Sequence, residues 1–576
     1  MHFHRCKLMK YARVQNTTMG HCQSNPVEDG SSKVVKVTGG LVEGFKVHTK
    51  EGNQCDVFLG IPYAAPPTGK RRFKKPEDVK NWEGVKKCQK APNRSVHKEF
   101  FYDKQHSKAP QSEDCLYLNV FAPSNVSEKK YPVLFYIHGG GWMMDSAERY
   151  RPKNVCRLLV QKGVIVVTIH YRLGFLGFLC TGDESAQGNY GIWDMLKALQ
   201  WTNNNIGAFG GDPSKITIAG QSAGGASADI LSILPAAQGL FSQKILMGGN
   251  SFCSWSTVET DKIRNYCMKK AKRLGFKPSS DVLSKSEENK ELVKFMHAQS
   301  SKSLACSMMF CGTIFNTGVL PLAPVVDGDL IPEPLATLRE KAIPVPTIVG
   351  GGEHEMLLLM AIGMIKASEK DVEIAKSQIC QRTGKDVEEM EKFLAKVYGM
   401  TPNRLTDSKL RKPFYVDLTS DFFANSSIYL SAKYSTLHSP ECYLYSFDYQ
   451  CPKQFGLLQF AVPFTGGTHT SEVNYLFNCN YMNSLWSFNE TDKKVSEMTA
   501  LYFTNFVKYG NPNSKDSGFS VWEPIDKNAN KYQSFCFKEY PEMSTKPFMD
   551  RIEEVVLFGR ELTKNKVLDE LLERRI

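Results

Sequence analysis

The residues Gly220-Gln221-Ser222-Ala223-Gly224 form a short motif that could hold a reactive serine. They follow the apolar run 216–219, which predicts a strand ending just before the serine. A serine at the tip of a sharp strand-to-helix turn needs glycines on both sides, because the backbone passes too closely for bulkier neighbours. A string of such common residue types also arises by chance in long proteins. Further residues must therefore support Ser222 as a nucleophile.

Glycines at another predicted strand end could bind the negative charge that develops on a carbonyl oxygen. His138-Gly139-Gly140-Gly141-Trp142 follows the run 132–137, and successive glycines leave backbone N–H groups free to point at one spot. Donors of this kind contribute roughly 3 to 4 kcal/mol each to lowering the barrier. The predicted oxyanion hole consists of Gly140, Gly141 and Ala223, the residue after the serine. The alternative is a glycine-rich loop that serves only a tight turn.

A serine hydroxyl needs a base, and the base needs a carboxylate that fixes its tautomer. Among the 12 histidines, His469 is favoured because it lies in the late loop Gly466-Gly467-Thr468-His469. A carboxylate is expected after the predicted strand 346–349, since ligands meet such sheets just beyond the strand ends. The loop there contains three candidates between which spacing alone does not choose, namely Glu353, His354 and Glu355.

Short apolar runs alternate with helical patterns along the chain and predict an α/β fold. The predicted strands are 132–137, 164–169, 216–219, 245–247, 346–349 and 443–447, and the clearest helices are 190–204 and 496–509. This alternation predicts a central, mostly parallel β-sheet flanked by helices. The order of serine, acid and histidine along the chain is that of the α/β-hydrolase fold and differs from other serine hydrolases.

Longer blocks make the chain similar to the type-B carboxylesterases of the carboxylesterase/cholinesterase family. Residues 113–123, Glu-Asp-Cys-Leu-Tyr-Leu-Asn-Val-Phe-Ala-Pro, match the family's second signature, and residues 209–227 match its serine signature. Further blocks that agree are 58–64, 326–329, 505–506 and 510–512. The resemblance extends from about Lys33 to Leu557. It implies the α/β-hydrolase fold and hydrolysis of a small-molecule ester through an acyl-enzyme, without a metal or organic cofactor.

Registration on the family pattern assigns the acid to Glu355 and the base to His469, three residues before Glu472. The resemblance also implies that Ser227 helps to orient the acid. It further implies two buried ion pairs and one candidate disulfide, formed by Arg72 with Glu113, Arg172 with Asp194, and Cys88 with Cys115. The family's second disulfide has no counterpart here.

Departures from the cholinesterases indicate a different substrate. Those enzymes usually carry Glu before the serine and a Trp in the first disulfide loop, whereas this chain has Gln221 and no Trp between Cys88 and Cys115. A choline head group would find little to hold it, so neutral carboxylic esters are the predicted substrates. Six apolar residues near the acid are expected mostly to pack the core, with one or two lining the acyl or alcohol pocket: Met356, Leu357, Leu358, Leu359, Met360 and Met364.

Composition excludes several classes of function. The net charge is +12, but acidic residues are interleaved with the basic ones, which disfavours a nucleic-acid partner. No stretch reaches the roughly 18 apolar residues of a membrane-spanning helix. The first 30 residues lack the apolar core of a secretory signal, so an intracellular location, cytoplasmic or at a membrane surface, is expected. The 16 cysteines lack metal-binding spacing and are expected to be mostly reduced thiols.

The predicted organisation is a flexible tail over 1–32, one catalytic domain over 33–562, and a charged tail over 563–576. The sequence Met19-Gly20-His21-Cys22 fits myristoylation at Gly20 with a second acyl chain at Cys22, provided that translation starts at Met19. Two such chains would attach the protein peripherally to a membrane. The alternative is a chance match in a disordered tail. No pattern indicates the oligomeric state.

A non-catalytic adhesion protein on the same scaffold, similar to the neuroligins, is the alternative function. Members of that group usually lose the serine and carry a signal sequence and a membrane span. This sequence keeps Ser222 and shows neither feature, so the hydrolase is favoured.

Overall fold

The computed structural model describes residues 30–559 apart from gaps at 50–51, 101–106, 126–128, 307, 309–319, 439–440, 452, 480–486, 514–518, 527, 529–531 and 546. The acylation candidates Gly20 and Cys22 lie outside the described residues. So do residues 1–29 of the predicted N-terminal tail and the whole predicted tail 563–576.

One sheet holds every strand of the described chain. The strands are β1 (Ser31–Val37), β2 (Gly40–His48), β3 (Gln54–Pro62), β4 (Val85–Lys87), β5 (Tyr117–Pro123), β6 (Tyr131–Ile137), β7 (Ile165–Ile169), β8 (Gly211–Gln221), β9 (Gln243–Met247), β10 (Thr347–Gly351), β11 (Cys442–Phe447), β12 (Ser534–Phe537) and β13 (Glu542–Ser544). Their order is β1-β2-β3-β5-β7-β6-β8-β9-β10-β11-β12-β13, with β4 beside β2.

The sheet is parallel from β7 to β12 and antiparallel at its two ends, except that β4 pairs with β2 in parallel. Every residue of β7, β10 and β11 is buried, because helices cover both faces of the sheet. This double burial explains why these strands are continuous apolar runs in the sequence. The predicted mostly parallel sheet is confirmed, and so are all six predicted strands.

The described chain contains 17 α-helices. They are α1 (Pro152–Leu158), α2 (Gly174–Phe178), α3 (Tyr190–Asn205), α4 (Ala223–Ile233), α5 (Thr260–Arg273), α6 (Lys285–Ala298), α7 (Ser301–Leu304), α8 (Leu335–Lys341), α9 (Leu357–Ala361), α10 (Glu369–Thr383), α11 (Val387–Tyr398), α12 (Pro402–Thr406), α13 (Ser408–Ser420), α14 (Ser426–His438), α15 (Ser471–Phe477), α16 (Glu490–Tyr509) and α17 (Pro547–Phe558). None of them combines the length and the apolar character that crossing a bilayer would require.

Both predicted helices are confirmed, but α16 begins six residues earlier than its apolar pattern indicated. The reason is a capping box at its start. The side chain of Asn489 accepts a hydrogen bond from the backbone N–H of Asp492, and the Asp492 side chain accepts one from the backbone N–H of Asn489. A polar cap of this kind satisfies the free N–H groups of the first turn without contributing to the apolar pattern.

The candidate disulfide between Cys88 and Cys115 is not formed, which corrects the expectation from the family resemblance. The two thiols have different polar neighbours: Cys88 Sγ lies 3.9 Å from the carbonyl oxygen of Gly60, and Cys115 hydrogen-bonds to the Ser95 side chain. Burial raises the pKa of each thiol to about 12, so both remain protonated near neutral pH.

Both ion pairs implied by the family resemblance are formed, but only Arg172–Asp194 is fully buried, since the side chains of Arg72 and Glu113 are 11% and 15% exposed. In the more deeply buried pair, Arg172 Nε lies 2.8 Å from Asp194 Oδ2 and Arg172 Nη2 lies 2.7 Å from Asp194 Oδ1. A further guanidinium N–H donates to the backbone carbonyl of Lys74 at 2.7 Å. This two-pronged contact joins the segment after β7 to the middle of α3 and so holds a helix against the sheet.

Replacing Asp194 by Asn should destabilise the fold by about 3 to 5 kcal/mol, because the buried Arg172 charge loses its counter-charge. Urea unfolding of the full chain measures the change. The matched control is Glu497→Gln, which removes the partner shared by Arg157 and Lys162 at the surface, where the three side chains are 20% to 43% exposed. The control should cost about 1 kcal/mol or less. Equal losses in the two variants would contradict the role given to the buried pair.

Candidate active site

Ser222 lies in a strained turn between β8 and α4, with φ 58° and ψ −127°. Its backbone N–H donates to the Met247 carbonyl at 2.8 Å, which ties the turn to the neighbouring strand β9. A Cβ atom on Gly220 would lie 2.2 Å from the Gly224 carbonyl oxygen, and a Cβ atom on Gly224 would lie 2.2 Å from that of Ile137. Only glycine fits at both positions, which is the physical basis of the motif.

Four loops bring the predicted site residues to one edge of the sheet. Ser222 follows β8, Glu355 follows β10, His469 follows β11, and the glycines 139–141 follow β6. These strands all belong to the parallel part of the sheet, so their carboxyl ends share an edge. Ligands of open parallel sheets bind beyond this edge. The structure therefore brings together residues that are up to about 330 positions apart in sequence.

Glu355 is the carboxylate that contacts His469. Its Oε2 forms a short hydrogen bond with His469 Nδ1, and its Oε1 accepts from the backbone N–H of Gly352 at 2.6 Å. Glu355 is completely buried, whereas the His469 side chain is 15% exposed. Of the other two candidates, His354 bonds through Nδ1 to Asp417 at 3.0 Å. The carboxylate that pairs with His469 is that of Glu355 and not that of Glu353.

Gln221 contacts the other nitrogen of the histidine, a contact that sequence reasoning missed. Its side-chain Nε2 donates to His469 Nε2 at 3.1 Å while Nδ1 faces Glu355. Gly248 leaves the space that these groups need, since a Cβ there would lie 3.1 Å from Glu355 Oε2 and 3.2 Å from His469 Nδ1. The sequence did contain one signal for this contact, which is that Gln221 directly precedes Ser222 at the end of β8. Glu355, His469 and Gln221 thus form one hydrogen-bonded chain that ends beside Ser222.

The three predicted oxyanion donors lie around Ser222. Gly140 and Gly141 have φ values of 92° and 60° and line the same pocket as Ser222 and His469. A Cβ atom on Gly140 would lie 2.2 Å from a carbonyl oxygen of the same turn. Ala223 begins α4, where a backbone N–H has no acceptor inside the helix. In the described chain none of these three N–H groups donates a hydrogen bond, so all are available to an oxyanion.

Ser227 supports the oxyanion loop by its contacts. Its hydroxyl accepts from the indole N–H of Trp142 at 2.8 Å and donates to the Ala223 carbonyl at 2.7 Å. These bonds connect Trp142, which follows Gly141, to the first turn of α4. They therefore fix the predicted donors Gly140 and Gly141 relative to the third predicted donor, Ala223. The role beside the acid implied by the resemblance stays a prediction, because neither bond involves Glu355.

The pocket above Ser222 is small and apolar, with a volume of about 80 Å³. Four of the six apolar residues near the acid line it, rather than the one or two expected: Met356, Leu358, Leu359 and Met364. Only two of them, Leu358 and Leu359, belong to α9, and Met356 and Met364 lie just before and after that helix. The lining also includes Trp255, Leu320, Ile362 and Ala424.

A second buried carboxylate, Glu472, lies close to the charge of Glu355. Its Oε1 accepts a long hydrogen bond of 3.5 Å from the Tyr445 hydroxyl, and its Oε2 has no partner within the described ranges. Burial, and then the charge of Glu355, raise the pKa of Glu472 to about 8. Two carboxylates in one apolar region cannot both ionise readily. The proton on Glu472 therefore persists to a higher pH than the proton of an ordinary carboxyl group.

Comparison with known protein families matches residues 31–552 to the carboxylesterase family. Esterase cest-33 of Caenorhabditis elegans is 33% identical over 520 residues, which cover 88% of this chain and 91% of that protein. An acylcarnitine hydrolase of Rattus norvegicus is 29% identical over 544 residues, or 90% and 89% of the two chains. A bile salt-activated lipase of Bos taurus is 28% identical over 529 residues, or 86% and 83%.

Replacing Glu472 by Gln should change how stability depends on pH. The raised pKa means that the folded state keeps a proton that the unfolded state releases above about pH 4.5, so this group costs stability increasingly as pH rises towards 8. The Gln variant lacks that cost. Its melting temperature, relative to the parent protein, should therefore rise between pH 5 and pH 8.5 in thermal melts.

The control for this experiment is Glu83→Gln at an exposed position. Its melting temperature, relative to the parent, should stay constant over the same pH range. A constant difference for Glu472→Gln as well would contradict a protonated Glu472.

Proposed function

We propose that this chain, which belongs to the carboxylesterase family and is a serine hydrolase acting on carboxylic esters, uses Ser222 as its nucleophile, His469 as its base and Glu355 as the supporting acid. The observation that carries the proposal is the buried Glu355–His469 hydrogen bond beside a strained, glycine-flanked serine. Nothing in the fold or the relatives favours the non-catalytic adhesion alternative.

Hydrolysis would begin when His469 Nε2 accepts the proton of Ser222 Oγ as that oxygen attacks the ester carbonyl. In the resting site Nε2 faces the amide of Gln221, so Ser222 must replace that hydrogen bond. The Glu355 carboxylate stabilises the imidazolium that forms, and a charged acceptor in a buried site is well suited to this task. Gly140, Gly141 and Ala223 would hold the developing oxyanion with their backbone N–H groups.

The alcohol then leaves with the proton from His469, and the acyl group remains on Ser222 as an ester. In the second half, the same histidine takes a proton from water as the water attacks the acyl carbonyl. Collapse of the second tetrahedral intermediate releases the carboxylic acid and returns the proton to Ser222 Oγ. The same three N–H groups serve both oxyanions, so one fixed geometry suffices for the whole cycle.

Neutral esters are the proposed substrates. Apart from His469, no described residue that lines the pocket carries an ionisable side chain, so a cationic alcohol would lose its hydration without gaining a counter-charge. Gln221 supports the same conclusion, because an uncharged amide occupies the place beside His469. Apolar side chains over Ser222 suit hydrocarbon acyl or alcohol groups.

A reducing, intracellular location also remains part of the proposal. Its support is that all thirteen described cysteines are free thiols, and twelve of them are buried. Acylation at Gly20 and Cys22, with peripheral membrane attachment, stays a prediction.

Replacing Ser222 by Ala should reduce hydrolysis of p-nitrophenyl butyrate by about 10⁴-fold or more, since the nucleophile is lost while the binding groups remain. Labelling by a fluorophosphonate probe should disappear in the same variant. Ser214→Ala, at the exposed start of β8, is the matched control and should keep both properties. Labelling that survives in Ser222→Ala would reject Ser222 as the nucleophile.

Replacing Gln221 by Glu should make the enzyme less selective against cations. A carboxylate here would add a counter-charge in a pocket that has none, so kcat/KM for butyrylcholine relative to its neutral 3,3-dimethylbutyl analogue should rise by about tenfold. The uncharged control Gln221→Met loses the same hydrogen bond and should leave that ratio unchanged. The proposal fails if the unaltered enzyme prefers the cation, or if both variants change the ratio equally.

A further inference from the structure

A second and larger cavity lies behind one wall of the catalytic pocket. Its volume is about 710 Å³, against about 80 Å³ for the catalytic pocket. It is lined by parts of 251–260, 334–339 and 422–430, together with Lys262, Val326 and Arg382, and we call it the rear cavity. Trp255 and Ala424, from two of these segments, line the catalytic pocket instead. The two cavities therefore share a wall and present different side chains.

Arg339 brings a buried positive charge to the rear cavity with incomplete compensation. It is 6% exposed, and its Nη2 donates to the hydroxyl of Ser251. Its nearest carboxylate, Asp229, lies 3.6 Å away and also bonds to Lys244 at 2.7 Å. Its Nε has no hydrogen-bond partner in the described chain. Asp229 is thus shared by two cations, Arg339 and Lys244, and the Nε–H of Arg339 donates no hydrogen bond within the described chain.

Arg382 adds a second guanidinium to the same cavity. It packs over the ring of Phe423 at 5.4 Å, and within the described residues no carboxylate pairs with it. Burial lowers its pKa to about 10, and no neighbouring charge offsets this effect. Lys262 lies at the exposed mouth with Glu259, 3.2 Å away. The lining therefore holds three cations and one carboxylate.

Hydroxyl groups complete the polar part of the lining. The hydroxyl of Ser254 is buried without a hydrogen-bond partner among the described residues. Six other serine and threonine residues of the same segments surround the space, which are Ser251, Ser256, Thr257, Thr260, Ser426 and Ser427. Guanidinium forks and hydroxyls together match the several oxygens of a tetrahedral oxyanion. The Nε–H of Arg339 and the hydroxyl of Ser254 are costly to bury without hydrogen-bond partners, and an anionic ligand that accepts from both removes this cost.

We propose that the rear cavity is a binding site for an organic phosphate monoester. The phosphate would lie between Arg339 and Arg382, where its double negative charge matches the excess of cations. Its organic group would pack on the apolar part of the lining, which includes Val258, Leu335, Phe422 and Leu430. The site is distinct from the catalytic pocket and does not depend on which residues carry out hydrolysis.

Isothermal titration calorimetry of the full chain with phenyl phosphate at 0.15 M salt tests the site. The expected result is saturable binding of one ligand with a Kd of about 1 mM or tighter. Arg382→Gln should weaken binding at least tenfold. Arg273→Gln removes the same charge from an exposed position on α5 and should change the Kd by less than about threefold.

The second test variant is Ser254→Ala rather than a variant of Arg339, because Arg339 also supports the buried Asp229 and its loss could unfold the protein. Ser254→Ala leaves every charge in place and should weaken phenyl phosphate binding about three- to tenfold. The proposal is overturned by absence of saturable binding, by equal weakening in Arg273→Gln and Arg382→Gln, or by binding that neither Arg382→Gln nor Ser254→Ala alters. The last result would show that phenyl phosphate binds outside the rear cavity.

Discussion

The close approach of three backbone segments around Ser222 is the constraint on which the site depends. Gly220 and Gly224 allow carbonyl oxygens to pass where a side chain would collide, and this contact sets the position of α4 against β6 and β8. Because α4 begins at Ala223, the same packing aims an oxyanion donor at the site. The strained φ of Ser222 persists because the surrounding strands hold its N–H and the helix holds its carbonyl. Fold and reactivity therefore arise from one local packing requirement.

Burial decides how charge is distributed beneath this turn. Glu355 accepts hydrogen bonds from His469 and from the Gly352 backbone. Among the described residues, the one side chain that donates to Glu472 is Tyr445, over a long distance. Burial, and then the charge of Glu355, raise the pKa of Glu472 to about 8. The histidine lies between the Glu355 carboxylate on one side and the neutral amide of Gln221 on the other. This asymmetry favours the tautomer with its proton on Nδ1, and Nε2 is left as the acceptor.

Most of the site was predictable because its signals are local. Glycine spacing around Ser222 and after His138, and the apolar runs of the buried parallel strands, each follow from backbone geometry within a few residues. The first six residues of α16 were missed, since the polar cap that starts the helix adds nothing to the apolar pattern. The choice of Glu355 over His354 depends on contacts with residues far away in the sequence, such as Asp417 for His354, and these contacts cannot be inferred from the spacing within the loop. The absent Cys88–Cys115 disulfide shows the limit of resemblance, because conserved spacing does not dictate the chemistry of the thiols.

The wall between the two cavities is held by hydrogen bonds that also reach the loop containing Glu355. Its π-helical turn, Asp421–Asn425, is anchored where Asp421 accepts hydrogen bonds from Tyr398 and Arg551. Trp255 Nε1 donates to the Phe423 carbonyl at 2.8 Å and joins the two segments of the wall. Asn425 donates to the carbonyl of Glu353 at 2.9 Å, two residues before Glu355. A wall fixed at three points keeps its shape when either cavity fills, so the rear cavity is a separate binding space rather than an extension of the catalytic pocket.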